Sequence, residues 1–249
     1  MPLSLPPPGE AALLLDMDGT LLDIAPTPDS VVVPPGLPQA LRSLRDSLGG
    51  ALAVVTGRPI EQVDGLLPGV PWAVAGEHGG AIRHAPGSAV VRVPLPAAPV
   101  AWVMEAARIV DRHPGALLEQ KQRGFVLHYR AAPEAGGALH TALTELIAPL
   151  GEQFQLMAAL MAWEVKPRGA DKGSAVQALA TGTPFAGRRP IFIGDDVTDE
   201  DGMAASVALG GAGLRVQDWF GTAAGVRRWL EASAEAVAAG RGWAAVERA

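Results

Sequence analysis

Two acidic side chains separated by one residue, Asp16 and Asp18 in the segment Asp16-Met17-Asp18-Gly19-Thr20, follow directly on the apolar run Ala11 to Leu15. Successive residues at the end of a strand point in different directions, so one carboxylate can attack an electrophile while the other stands over the leaving group and handles its proton. Gly19 permits a tight turn, and Thr20 can tie the loop to itself. Three further polar clusters complete a set. Thr56-Gly57-Arg58 offers a hydroxyl and an unobstructed backbone amide. Lys172 follows Asp171 at the start of a helical pattern, where an ammonium and a helix dipole both favour an anion. Asp195, Asp196 and Asp199 form an acidic group after Ile191 to Ile193. Nucleophile, proton donor, oxygen-binding groups and carboxylates able to hold magnesium are the parts needed to transfer a phosphoryl group to water.

The elements that must position these groups follow from the hydrophobic pattern. Ala11 to Leu15, Ala51 to Val55, Trp72 to Val74 and Ile191 to Ile193 are short apolar runs of the kind buried in parallel sheets. Between them Leu37, Leu41, Leu44 and Leu48 recur at helical spacing, and Pro59 opens a second helix before Ile60 to Leu67. This alternation predicts a parallel α/β sheet, with the ligand site outside the carboxyl ends of the strands. Glu77-His78-Gly79, after the third run, joins the other polar clusters there. His78 is expected at the site rather than as a satisfied core histidine. Arg58 fits either a substrate contact or a surface ion pair.

The middle of the chain reads as an inserted αββαββ unit. A helix is expected from Val100 to Val110, a hairpin around Arg123-Gly124, a helix from Ala138 to Ile147, and then two more strands. Pro94 to Pro99 is a plausible hinge into it. The expected boundaries are residues 1–97 and 167–249 for the catalytic core and 98–166 for the insertion. Strand alternation puts Glu119 with Lys121, His128 with Arg130, and Glu164 with Lys166 on one polar face. Phe125, Leu127, Tyr129 and Trp163 lie on the opposite face, as core rather than as sugar-stacking platforms. Such a face suits a lid over a polar ligand. From about Glu231 the chain is alanine-rich and expected to be helical.

Composition narrows the partners. There is no cysteine, which removes disulfides, thiolate metal sites and a cysteine nucleophile and fits a reducing compartment, so the cytoplasm is expected. No basic start precedes the first apolar run, no stretch is long enough to span a bilayer, and a net charge of −6 disfavours nucleic acid and acidic membranes. The expected partner is a small molecule, bound by a monomer at a site made locally positive. Basic residues are nearly all arginine. The only lysines are Lys121, Lys166 and Lys172, which marks them for roles a planar guanidinium cannot fill.

The order DMDGT, TGR, DKG, GDDVTDE resembles the four motifs of the haloacid dehalogenase superfamily of aspartate-nucleophile phosphatases, and the insertion resembles that superfamily's α/β cap. Glu77-His78-Gly79, Leu118-Glu119-Gln120-Lys121, His128-Tyr129-Arg130, Glu164-Val165-Lys166-Pro167 and the last acidic motif are together similar to those of the trehalose-6-phosphate phosphatase family. The resemblance runs from roughly Leu13 to Val216. It implies a Rossmann-like core with an inserted cap, and hydrolysis of trehalose 6-phosphate through a phosphoaspartate. It further implies Asp16 as nucleophile and Mg2+ ligand, Asp18 as acid/base with its carbonyl on the metal, and Asp195 as third ligand. Asp199 would support the metal site, and Asp196 would either support it or ligate. Thr56 and Lys172 would hold the phosphate, and Glu119, Lys121, Arg130 and Glu164 the sugar hydroxyls. The family usually has arginine where this chain has Lys166, so no role passes to that residue. Two alternatives stay open: another sugar phosphate, such as sucrose 6-phosphate or a glycosyl-3-phosphoglycerate, and a catalytically silent domain that binds a sugar phosphate or a partner synthase.

Overall fold

The computed structural model describes residues 4–25, 30–246 and 248. Residues 1–3 of the expected core segment, with 26–29, 247 and 249, lie outside them. In chain order the elements are β1 (Ala11–Leu15), α1 (Leu37–Ser47), β2 (Leu52–Val55), α2 (Ile60–Leu66), β3 (Ala73–Gly76), β4 (Ala81–Arg83), β5 (Val91–Arg92), α3 (Val100–Asp111), β6 (Leu117–Gln120), β7 (Phe125–His128), α4 (Gly136–Ile147), β8 (Phe154–Ala159), β9 (Ala162–Pro167), α5 (Lys172–Ala180), β10 (Arg189–Gly194), α6 (Glu200–Ala208), β11 (Ala212–Arg215), α7 (Val216–Trp219) and α8 (Ala223–Ala238). They fall into two compact units, residues 1–93 with 171–249, and residues 94–170.

The larger unit is built on a seven-stranded sheet of order β11-β10-β1-β2-β3-β4-β5. The first five pair in parallel, while β4 and then β5 are added through antiparallel pairings. Every residue of β1, β2 and β3 is buried, which is why these strands read as continuous apolar runs rather than alternating ones. α1 buries Leu37, Ala40, Leu41 and Leu44 along one stripe and packs against α8. From β1 the chain steps to β2 and β3 on one side, and later to β10 and β11 on the other. The carboxyl end of β1 is therefore the switch point of the sheet, where an open α/β fold leaves a crevice. The fold class is the expected α/β, a parallel-strand sheet with a second, smaller sheet. β4, β5 and β11 were not foreseen, and α8 begins at Ala223, ahead of the expected Glu231, with Thr222 capping it through the Gly225 amide.

The smaller unit holds a four-stranded antiparallel sheet of order β6-β7-β9-β8. One face carries Phe125, Leu127, Phe154 and Val165 into a core of its own with Trp102, Ile109, Leu139 and Leu143 from α3 and α4. Trp102 meets Phe154 edge-on at 5.1 Å. Trp163 donates its indole N–H to the Gly136 carbonyl at 2.8 Å and packs against His140 and Tyr129, so this aromatic group belongs to the helix-covered side. Among the described residues no helix is long and apolar enough to cross a membrane.

Candidate active site

Asp16 leaves the end of β1 with its backbone N–H donating to the Ile193 carbonyl of β10, and the residue is buried, 4% exposed. The following loop closes on itself through the Gly19 N–H to the Leu22 carbonyl and through Leu21 and Leu22 N–H to the Met17 carbonyl. Gly19 has φ +80°, and a Cβ there would lie 2.1 Å from Oδ2 of Asp195. Only glycine lets this turn form and lets Asp195 approach it. Thr20 does not tie the loop to itself as expected. Its hydroxyl instead donates to Oδ1 of Asp195 at 3.0 Å, joining the ends of β1 and β10.

Lys172 is the first residue of α5. Asp171 caps that helix by accepting the Ser174 N–H at 2.6 Å, while the Ser174 hydroxyl accepts the Asp171 N–H at 3.0 Å. The cap fixes the helix start and so the root of the buried ammonium, which donates to Oδ1 of Asp16 at 2.6 Å and to Oδ1 of Asp199 at 2.5 Å. The second oxygen of Asp199 accepts the backbone N–H groups of Asp195 and Asp196 at 3.0 and 2.9 Å. Asp199 thus holds three donors and has no exposed surface.

Asp16, Asp195 and Asp199 each bring an oxygen within 4.8 Å of the others. The exposed Asp196 turns away, its carboxylate capping the short turn Val197–Asp199 through the Val197 N–H. Burial is the largest influence on Asp16. It pushes this carboxyl up to about 8, against the pull of Lys172 and with the help of Asp199. Burial alone would depress Lys172, but Asp16 and Asp199 outweigh it and hold the ammonium above its usual range. Burial also raises Asp195, with the Thr20 hydroxyl opposing. Three carboxyl groups lie around one ammonium, those of Asp16 and Asp195 shifted by burial towards their neutral forms, and the donor set is all oxygen. That fits a hard divalent cation.

The loop after β2 supplies the rest. Thr56 is buried, and its oxygen accepts the Arg58 N–H at 3.2 Å. The Arg58 guanidinium is a two-pronged partner for Asp18, donating from Nε and NH2 at 2.6 and 2.7 Å. Of the two readings left open for this arginine, an ion pair is therefore observed, and it is part-buried, with the arginine more enclosed than the aspartate. His78 sits at φ 54°, with its backbone N–H on the Thr56 carbonyl. Its ring lies so close to Gly57 that a Cβ there would come within 2.6 Å of Nε2. Neither the left-handed backbone of a non-glycine residue nor the Asp18 partner has a signature in the hydrophobic pattern. The bond from the Gln217 side chain to the Asp195 carbonyl at 3.1 Å was likewise not foreseen.

In the smaller unit Glu119 and Glu164 both pair in register with Val126, which puts them on one face in one row. Lys121 reaches Glu164 at 3.4 Å, and His128 reaches Glu119 at 2.8 Å. Lys166 is on the same face and buried. Arg130 departs from the alternation, because β7 ends at His128 and Arg130 stands exposed in the turn beyond, outside these contacts.

Against this geometry the comparisons with known proteins are specific. The family model for trehalose-phosphatase matches residues 14–210. The chain belongs to the trehalose-phosphatase family. The matched span of the trehalose-phosphatase model runs from β1 to the end of α6 and so takes in all of the acidic groups described above. The chain is 39% identical over 219 residues, 88% of its length and 80% of the relative's, to the trehalose-6-phosphate phosphatase of Escherichia coli (strain K12). It is 40% identical over 205 residues to a protein of Sinorhizobium fredii named a probable trehalose-phosphate phosphatase, covering 82% of this chain and 77% of that one. Among solved structures, the C-terminal domain of C. albicans trehalose-6-phosphate phosphatase superposes with a TM-score of 0.68 at 22% identity, over 79% of this chain and 73% of that one. At that identity the superposition speaks for the fold alone.

Proposed function

We propose that the protein hydrolyses trehalose 6-phosphate to trehalose and phosphate through a phosphoaspartate on Asp16. The observation that carries the chemistry is the buried Asp16 carboxylate at the switch point of the sheet, held by Lys172 at 2.6 Å with Asp195 alongside. The sugar is argued from the similarity to the Escherichia coli trehalose-6-phosphate phosphatase over most of both chains.

Asp16 attacks phosphorus and the sugar oxygen departs. An alkoxide leaves poorly, so Asp18 gives that oxygen a proton and then takes one from the water that cleaves the phosphoaspartate. Lys172, Thr56 and the Gly57 amide hold the phosphoryl oxygens, and His78 packs on Gly57 to keep that amide in place. Asp16, Asp195 and the Asp18 carbonyl would hold Mg2+, which when bound supplies positive charge against those oxygens. Asp199 supports the arrangement through Lys172 and the Asp195 amide, and Asp196 does so by capping the turn that carries Asp199.

The smaller unit is read as the cap. Glu119, Lys121 and Glu164 on its polar face, with Arg130 in the turn after β7, select the sugar hydroxyls. All these groups come from one chain, in keeping with a monomer, and the cysteine-free composition fits a reducing compartment such as the cytoplasm. The test is phosphate release from a panel of sugar phosphates with Mg2+. Trehalose 6-phosphate should be turned over fastest, whereas a preference for sucrose 6-phosphate or a glycosyl-3-phosphoglycerate would overturn the sugar assignment and leave the chemistry.

A further inference from the structure

Arg58 is held at every polar group the structure gives it. Its backbone N–H donates to Thr56 Oγ1 and its carbonyl accepts the Glu77 N–H. Gly76 leaves room for that carbonyl, since a Cβ there would lie 2.7 Å from it. NH1 donates to Gln62 one turn along α2 at 3.0 Å, while Nε and NH2 fork onto the two oxygens of Asp18. The arginine side chain is 10% exposed and the aspartate 38%. A side chain fixed at its root, along its edge and at its tip is pre-organised for the partner it already holds, not for an incoming phosphate or sugar.

We infer that Arg58 is a positioning residue acting through Asp18, setting the direction of that carboxylate for proton transfer, and that it makes no contact with substrate. The planar fork fixes both the place and the plane of the carboxylate, which a flexible ammonium cannot do. The inference rests on the reading of Asp18 as the acid/base.

The experiment is a double-mutant cycle on the phosphorylation step, followed by rapid quench with trehalose 6-phosphate and with a series of aryl phosphates of graded leaving ability. Proton transfer by a positioned side chain is worth roughly 10²–10⁴-fold, so Asp18→Asn should lose a factor in that range. Arg58→Gln should lose at least about tenfold, with the loss growing as the leaving group worsens. In the Asp18→Asn background the same change should cost less than about threefold, as for two residues acting as one unit. Arg58→Lys, which keeps the charge and the bulk but not the fork, should resemble Arg58→Gln and covers the case in which the glutamine variant fails to fold. A full Arg58 factor in the Asp18→Asn background, a loss equal across all leaving groups, or a fully active Arg58→Lys would each overturn the role. An unimpaired Asp18→Asn would instead remove the acid/base assignment on which it stands, and an unexpected sugar preference would leave the aryl series readable.

Discussion

If burial holds the Asp16 carboxyl at about 8 in the absence of a cation, magnesium must displace a proton to bind. At pH 7 roughly one site in ten is then ionised and at pH 6 roughly one in a hundred, so the apparent affinity for Mg2+ should fall about tenfold per unit below pH 8 and level off above it. Each unit corresponds to about 1.4 kcal/mol of binding free energy. The same shift acts on folding with the opposite dependence. A folded-state carboxyl raised above its unfolded value of 3.8 binds a proton that the unfolded chain releases, so this contribution to stability is complete below that value. It is lost as pH rises towards 8, at up to about 1.4 kcal/mol per unit. Calorimetric titration of Mg2+ at pH 7 in two buffers of different ionisation enthalpy should register close to one proton released, and Asp16→Asn should release almost none. An affinity that is flat between pH 6 and pH 8, with no buffer-dependent heat, would refute the reasoning and put Asp16 in the ionised state ahead of metal binding.

Gly19→Ala should cost about 1–2 kcal/mol in backbone strain alone and, by driving a methyl into Asp195, reduce kcat by more than tenfold; melting temperature and steady-state rates check it, and an undiminished kcat would refute the close approach. Glu164→Ala removes the partner of Lys121 and should raise KM for trehalose 6-phosphate while leaving kcat/KM for p-nitrophenyl phosphate unchanged, a contrast that equal losses on both substrates would contradict. Trp163→Phe removes the indole donor that joins β9 to the Gly136 carbonyl and should lower stability by about 0.5–1.5 kcal/mol in denaturant titration.

Much of the candidate site is legible in the sequence because its residues sit at element ends. The β1 run stops at a charged residue, and Asp171 before a helical pattern marks a helix start at Lys172, so local pattern alone places both side chains at the mouth of the sheet. β5 is only two residues long and partly exposed, and β11 reads Ala-Gly-Leu-Arg, so neither carries an apolar run to mark it. Contacts between distant segments, such as Thr20 with Asp195 or Arg58 with Asp18, depend on which of several nearby acids the fold brings close. Composition and period carry no record of that choice. Arg130 shows the complementary failure, since two-residue alternation carries the polar face past the point where the strand stops.

Asp199 has a consequence beyond the site it supports. Because one carboxylate satisfies a buried ammonium from α5 and two backbone amides of the loop after β10, no neutral residue of its size can replace it without stranding at least one of them. Natural variation at this position is then confined by architecture even where the chemistry would tolerate change. Drift among relatives should instead collect on exposed neighbours such as Val197, whose side chain carries no such contacts.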